Sequence, residues 1–396
     1  MVEQVSFTNF FMSNIWLNYI LFFALFAKSL WFFYYFSLYA FRRKVYTKDY
    51  KGRTALIVPC YNEDVDKLED TIKHALECDG IDEYYFIDDG STNNTQEIFH
   101  KYRKTKINFI VLPKNVGKRE AQKVGWEKAS KITGVFVCMD SDTILQKDSV
   151  IKLLRPFEDM SVGSTTACIL VRNKDKNIVT RAISSMYWSA SKIWRNAPST
   201  YDVLQTNNGQ LSAYRASIIR DIIPRYVTQT FMGGHCAFSD DRYLTHHIQT
   251  DYNKKCMYVD DAEVHTYVPE TMKQAYTMFL RWKLGAFRES FLVLKHFKKT
   301  PILIIDIWAN HLVQFMQLIV RIAVIIISIF YSPIVILYYL FIVMIISLLY
   351  SFHMIWYSPK QVPFKLLYSL MNEFYFSWAF IWALITVKEQ GKWATR

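Results

Sequence analysis

Three long apolar runs constrain this chain more than any other feature. Residues 15–41, IWLNYILFFALFAKSLWFFYYFSLYAF, carry a single charged side chain, Lys28, and residues 307–330 and 333–357 are similarly apolar. A backbone placed in hydrocarbon must satisfy its own N–H and C=O groups, so such runs form helices, and about 20 residues suffice to cross a bilayer. Helices of a buried core are the alternative, but these runs are too long and too apolar on every face. The first lacks a small-residue cleavage site and exceeds the length of a signal peptide, so it is expected to be retained. Arg42, Arg43 and Lys44 follow it directly, whereas residues 1–14 hold no Lys or Arg. Positive charge stays in the cytosol, which places residues 45–300 there.

A further segment, 363–387, is long enough to cross but carries Lys365, Asn372 and Glu373. A crossing there would also export a tail holding Lys388, Lys392 and Arg396 against one acid, Glu389. The expectation is three full spans, an interfacial or re-entrant fourth segment and a cytosolic C-terminus. All six cysteines fall between residues 60 and 256 in no close metal-type pair, so they read as free thiols of a reducing compartment. The net charge of +12 could serve nucleic acid, but it also suits anionic lipid and anionic substrates. The latter reading is preferred, and no nucleic-acid partner is expected.

Within the cytosolic part, apolar stretches alternate with helical spacing. TALIVP (54–59), YYFID (84–88), NFIVLP (108–113) and VFVCMD (135–140) read as strands. DKLEDTIKHAL, NTQEIFHKY (capped by Asn94 or a neighbour) and GKREAQKVGWEKAS read as the helices between them. That alternation predicts an α/β fold with a mostly parallel sheet, joined to a helical transmembrane and interfacial region. Ligands of such sheets bind beyond the carboxyl ends of the strands.

Acids gather at those ends. Asp140 and Asp142, in FVCMDSDTIL, form a D-x-D pair that can hold a divalent cation, Mg²⁺ or Mn²⁺, and through it a diphosphate. Alone, such a pair is weak and more often a solvated turn; its position after a strand, behind an earlier strand ending in DDG, strengthens the metal reading. Asp88 and Asp89 could meet a nucleotide's base and ribose, and Lys118 and Arg119 its phosphates or base, or simply open a solvated helix. In FSDDRYLT, Asp241 is a candidate general base for an attacking hydroxyl, with Asp240 and Arg242 orienting it. The plainer alternative is a surface helix cap. His235, His246 and His247 lack metal-ligand spacing and read as structural. Residues 271–288 place Ala275, Phe279, Trp282 and Ala286 on one helical stripe, with Lys273, Lys283 and Arg288 elsewhere, as in an interfacial helix. There Arg281 could meet a diphosphate, and Trp282 could stack a sugar or anchor the helix in lipid.

Together VPCYNED, DDGS, NVGKREAQ, DSDT, QTFMGGHCAFSDDRYLT, RW and KWATR resemble the processive family-2 glycosyltransferases. The likeness is to hyaluronan synthases and the type 3 pneumococcal capsule synthase, and it spans nearly the whole chain. It implies a cytosolic GT-A domain, interfacial helices and a membrane channel. It also implies UDP-sugar donors, a growing polysaccharide acceptor, and Trp393 and Arg396 in a gate over bound nucleotide. The implied organisation is 1–45 tail and first span, 46–270 catalytic domain, 271–300 interfacial helices, and 301–396 channel helices and gating tail. Departures cluster at the acceptor side. Met278 replaces the Gln of Q-x-x-R-W, Ser239 the Gly of G-D-D-R, and NNGQLSAYR keeps only Gly209 of an S-G-P trio. The sugar assignment therefore does not transfer. Two rivals stand: a non-processive transferase acting on a lipid carrier, and a non-catalytic exporter.

Overall fold

A computed structural model describes residues 30, 33–35, 37, 38, 46–330 and 332–388. Most of the first apolar run and the tail with Trp393 and Arg396 lie outside the described residues.

Eight strands form one sheet in the order β3-β2-β1-β4-β7-β6-β10-β5. They are β1 (Thr54–Cys60), β2 (Glu83–Asp88), β3 (Ile107–Val111), β4 (Val135–Met139), β5 (Thr143–Leu145), β6 (Val162–Val171), β7 (Leu211–Arg215) and β10 (Lys255–Thr266). A two-stranded hairpin, β8 (Thr230–Phe231) with β9 (Gly234–His235), stands apart. Strands β1, β2, β3 and β4 are mutually parallel, as are β6 and β10, while β7 runs antiparallel between them. Every residue of β1, β2 and β4 is buried, as expected where helices cover both faces. The strands anticipated from the sequence are therefore present, with β7 and β5 adding antiparallel pairs to a mostly parallel sheet.

Register decides what meets at the ligand edge. Cys60 pairs with Asp88 in the parallel β1–β2 ladder. Met139, the last residue of β4, faces Leu211, the first of β7. Asp88, Asp140, Asp142 and Gly209 are thus delivered to one side of the sheet. Strand order reverses around β1, where open α/β sheets place their binding crevice.

Helix α1 (Val65–Glu77) starts where the Asp64 carboxylate accepts the N–H groups of Asp66 (3.1 Å) and Lys67 (3.3 Å). At Thr95–Lys101 the cap comes from Asn93, whose side-chain oxygen accepts the Thr95 N–H at 3.2 Å. Helices α2 (Lys118–Lys128), α3 (Ile178–Ser189) and α4 (Asp240–Thr250) border the site. Helix α5 (Met272–Val293) leads to α6 (Pro301–Phe330), α7 (Ile334–Tyr350) and α8 (Val362–Phe374). Among the described residues, α6 alone is long and apolar enough to cross a membrane, with mean hydropathy 2.3. The 363–387 segment is not one helix. It breaks at Tyr375 into α8, a short 3₁₀ turn and α9 (Ala379–Ile385).

Candidate active site

Asp88 ends β2 fully buried. One carboxylate oxygen accepts the Ser91 N–H at 2.9 Å; the other is buried and finds no hydrogen-bond partner. A buried acceptor left unpaired at the ligand edge is costly unless a ligand completes it. Asp89 is engaged differently. Its oxygens accept the N–H groups of Val116 (2.7 Å) and Gly117 (2.9 Å), tying down the loop that launches α2.

Lys118, the first residue of α2, is the hinge of the site. Its Nζ lies 2.8 Å from Asp140 Oδ1 and 3.2 Å from Asp240 Oδ2, so it joins the D-x-D acid to the acid pair of α4. Burial favours the neutral amine, but the two carboxylates outweigh it and hold the lysine well above its ordinary pKa. Arg119 does not share this position. It is buried behind the edge, donating to the carbonyls of Tyr226 (2.9 Å) and Phe238 (3.3 Å) and lying over the rings of Tyr226 and Tyr243. Its place is structural because the side chain of the next helical residue turns toward the core while Lys118 faces the cleft.

Gly209 sits beside Asp140. A side chain there would come 3.2 Å from Asp140 Oδ2 and 3.6 Å from Lys118 Nζ. The missing Cβ keeps open the oxygen of Asp140 that Lys118 does not use. Asp142, two residues on, is buried at the start of β5. Among the described residues no cluster of three His, Cys, Asp or Glu side chains could hold a metal alone. A site of one or two carboxylates completed by phosphate oxygens needs no third, and Asp140 with Asp142 fits that donor set.

Asp240 and Asp241 open α4 behind a left-handed Ser239 (φ 59°). Their environments push them apart. Asp240 is buried, which favours the neutral acid, but Lys118 and Arg119 overcome that and hold its pKa below the ordinary range. Gln122 adds a hydrogen bond at 3.3 Å. Asp241 is raised to about 6, first by desolvation and then by the charge of Asp240. A carboxylate poised there is suited to accept a proton near neutral pH. Arg242 braces it through the backbone, its N–H donating to Asp241 Oδ1 at 2.7 Å, while its guanidinium donates to the Gln205 carbonyl at 3.3 Å.

On α5, Trp282 packs edge-on to Tyr187 (6.1 Å between ring centres) and Phe279 (5.5 Å). Burial raises the pKa of Tyr187, and the charges of Arg195, Asp142, Arg281 and Asp140 all act on it, so these groups converge around one ring. Arg195 was not singled out from the sequence. It follows a π-helical turn, Ala190–Trp194, a distortion frequent at functional sites, and its Nη1 is buried without a partner. The one signal in the sequence is an arginine directly after the apolar pair Ile193 and Trp194.

Arg288, expected on a polar face of an interfacial helix, is fully buried. It pairs with Glu289 at 2.7 Å and donates to the Phe238 carbonyl, which Arg119 also reaches. Lys283 is likewise enclosed, bonded to Gln314 of α6 and lowered to about 8 by burial. Helix α5 packs against α4, α6 and α9, which buries Leu284, Gly285 and residues 287–290 and leaves Phe291 exposed. His246 contacts the Gln205 carbonyl at 2.9 Å, His235 that of Val227 at 2.9 Å, and His247 the Asp251 carboxylate at 2.7 Å.

Beyond the π-turn lies a cavity of about 280 Å³ between α3, α6, α7 and α8. Its wall carries Asn310, Gln314, Gln317, Ser347, Asn372 and Glu373. The wall also holds Ile193, Val313, Val343 and Ile346, and Asn310, Gln314, Ser347 and Glu373 are bonded to Asp306, Lys283, Ser369 and Arg321 respectively.

Comparison with known proteins identifies the family and the fold. The glycosyl transferase family 2 model matches residues 55–223. The hyaluronan synthase of Streptococcus pyogenes is 31% identical over 359 residues, 88% of this chain and 84% of that protein. An N-acetylglucosaminyltransferase of Mesorhizobium japonicum is 31% identical over 245 residues, 61% of this chain and 57% of that protein. A mannosyltransferase from Pyrobaculum calidifontis, solved in complex with GDP-Man and Mn²⁺, is similar in fold. Its TM-score is 0.62 at 15% identity, over 91% of this chain and 98% of that one. The chain belongs to the hyaluronan-synthase-like family-2 glycosyltransferases, and its sheet is of the GT-A kind. It is a polysaccharide-synthesising glycosyltransferase.

Proposed function

We propose that the chain is a processive, inverting, membrane-embedded synthase that polymerises UDP-activated sugars and passes the product out between its own helices. The observation that carries this reading is the polarised pair Asp240–Asp241, bridged through Lys118 to the D-x-D acid, with the polar cavity beyond.

Asp88, with its unpaired buried oxygen, receives the nucleotide. Asp140 and Asp142 would hold a divalent cation, which when bound supplies positive charge to the diphosphate leaving group. Gly209 leaves room there, and Asp89 fixes the loop that presents Lys118. Asp241 takes the proton of the acceptor hydroxyl, whose oxygen bonds to the anomeric carbon from the face opposite the departing diphosphate. Lys118 and Arg281 offset the charge left on UDP. Arg119 and Arg288 clamp the Phe238 carbonyl and so hold the turn at Ser239 that aims Asp240, Asp241 and Arg242. Trp282 offers a face to the acceptor sugar. Trp393 and Arg396, outside the described residues, remain candidates for the gate over the nucleotide. The choice of UDP rests on the motif resemblance. Membrane lipid is the surrounding partner, and the catalytic domain is assigned to the cytosol on the distribution of basic residues.

Asp241→Asn tests this most locally. It keeps size and shape but cannot take a proton, so turnover should fall by a factor on the order of 10²–10⁴ with UDP-sugar binding retained. Loss of UDP-sugar affinity with the same substitution would make Asp241 a binding residue and move the base elsewhere.

A further inference from the structure

The loop that carries Gly209 is tied at its other end to the membrane helices. Gln205 Nε2 donates to Asp306 Oδ2 of α6 at 2.6 Å. Asp306 Oδ1 accepts the Tyr35 hydroxyl of the first apolar run at 2.5 Å. Both oxygens of one buried carboxylate are therefore used, one by the catalytic domain and one by another membrane segment. Asn310, one turn along α6, donates to the Asp306 carbonyl at 3.0 Å and to the Tyr35 hydroxyl at 3.3 Å, and it lines the cavity. The backbone of Gln205 faces the opposite way. Its carbonyl accepts from His246 Nε2 (2.9 Å) and Arg242 Nη1 (3.3 Å), both on the helix that begins with Asp240 and Asp241.

One residue thus bonds the base helix through its backbone and the cavity helix through its side chain. A buried carboxylate is costly unless its oxygens are bonded, and Leu or Ile would pack there at no such cost. We infer that Gln205 and Asp306 are positioning residues that keep the acceptor loop and the base helix in register with the cavity, and so set how long a growing chain is retained between additions. This rests on the polymerase reading above. The donor site at Asp88 and Asp142 takes no part in the strut, so donor binding should not depend on it.

The test uses the full chain in detergent or nanodiscs with UDP-sugars. Gln205→Ala and Gln205→Glu, the second setting two carboxylates against each other, should each shorten the product and lower the rate of polymer synthesis by about 10-fold to 100-fold, the scale of a small misplacement at a reacting centre. Donor affinity, measured by calorimetry, should stay within about twofold of wild type, because the strut makes no contact with Asp88 or Asp142 and uniform binding is untouched. The double variant Gln205→Glu with Asp306→Asn reverses the polarity of the bond. The new amide at 306 can donate to the new carboxylate at 205 and still accept from Tyr35, so chain length should recover. Should the double variant fail to fold, Gln205→Ala on its loop decides alone. Wild-type product lengths from Gln205→Ala, or a folded double variant no better than the poorer single, would overturn the inference. A wild-type chain that releases UDP but makes no polymer would overturn the polymerase reading and this inference with it.

Discussion

At the scale of the residue, catalysis is assigned to two adjacent carboxylates made unequal by their surroundings. Asp241, raised to about 6, must be ionised to act as base, so kcat/KM should decline as pH falls through about 6. The same shift has a stability consequence. Between the ordinary 3.8 and about 6, the folded chain keeps a proton that the unfolded chain has released. Stability contributed by this group is therefore lost as pH rises through that window. Asp241→Asn should then melt higher than wild type at pH 7 while losing activity; a lower melting temperature would show the charge to be structurally required. Asp142→Asn should weaken UDP binding measured calorimetrically in Mn²⁺ but leave it unchanged in EDTA. Equal affinities of wild type and variant in Mn²⁺ would remove Asp142 from the metal site. The acids were legible in the sequence because charge at the end of an apolar strand has few structural excuses. Asp89 and Arg119, read from the sequence with their neighbours as ligand contacts, are in the structure bonded to backbone groups of the surrounding frame. Consecutive side chains alternate faces along a strand and turn by about 100° along a helix, so sequence neighbours need not face the same cleft.

At the scale of the element, α5 shows what periodicity alone could not resolve. Its apolar stripe predicted a helix, and Ala275 and Phe279 are indeed buried. Arg288 and Lys283 are enclosed as well, because partners distant in sequence, at Phe238 and Gln314, satisfy them. Gly285 records how closely α5 approaches the site: a Cβ there would lie 2.6 Å from Ser239 Cβ and closer still to its hydroxyl. Gly285→Ala should therefore destabilise by roughly 1–3 kcal/mol, the usual range for overpacking. Adding Ser239→Gly should restore stability, since it removes the clashing atoms and suits the left-handed backbone at 239. Thermal melts of the single and double variants decide this; no rescue would place the strain elsewhere. Trp282→Ala should cost polymer synthesis more than single-sugar hydrolysis, and equal loss of both would favour its reading as an anchor.

At the scale of the molecule, the alternation of strands and helices predicted the sheet. The long apolar runs predicted helices, but not that the 363–387 segment would break at Tyr375. The break falls just after Glu373, which is buried, paired to Arg321 of α6 and accepting the Tyr339 hydroxyl at 2.9 Å; Lys365 is buried in the same helix. The acceptor's identity stayed illegible because the 204–209 loop is shaped by contacts from four elements. On the proposed topology, Ser332→Cys, between α6 and α7, should react with an impermeant thiol reagent on intact cells, and Lys299→Cys only after permeabilisation. The native cysteines are all buried, which keeps the background low. The reverse pattern would invert the assigned orientation. The central claim is polymer synthesis from nucleotide sugars, and the most direct measurement is product size and UDP release from the purified chain given UDP-sugars singly and in pairs. The account predicts UDP release coupled to a long polymer with one donor or one pair, abolished by Asp241→Asn. UDP release with only single sugars transferred to a lipid, or no UDP release with any donor, would contradict it.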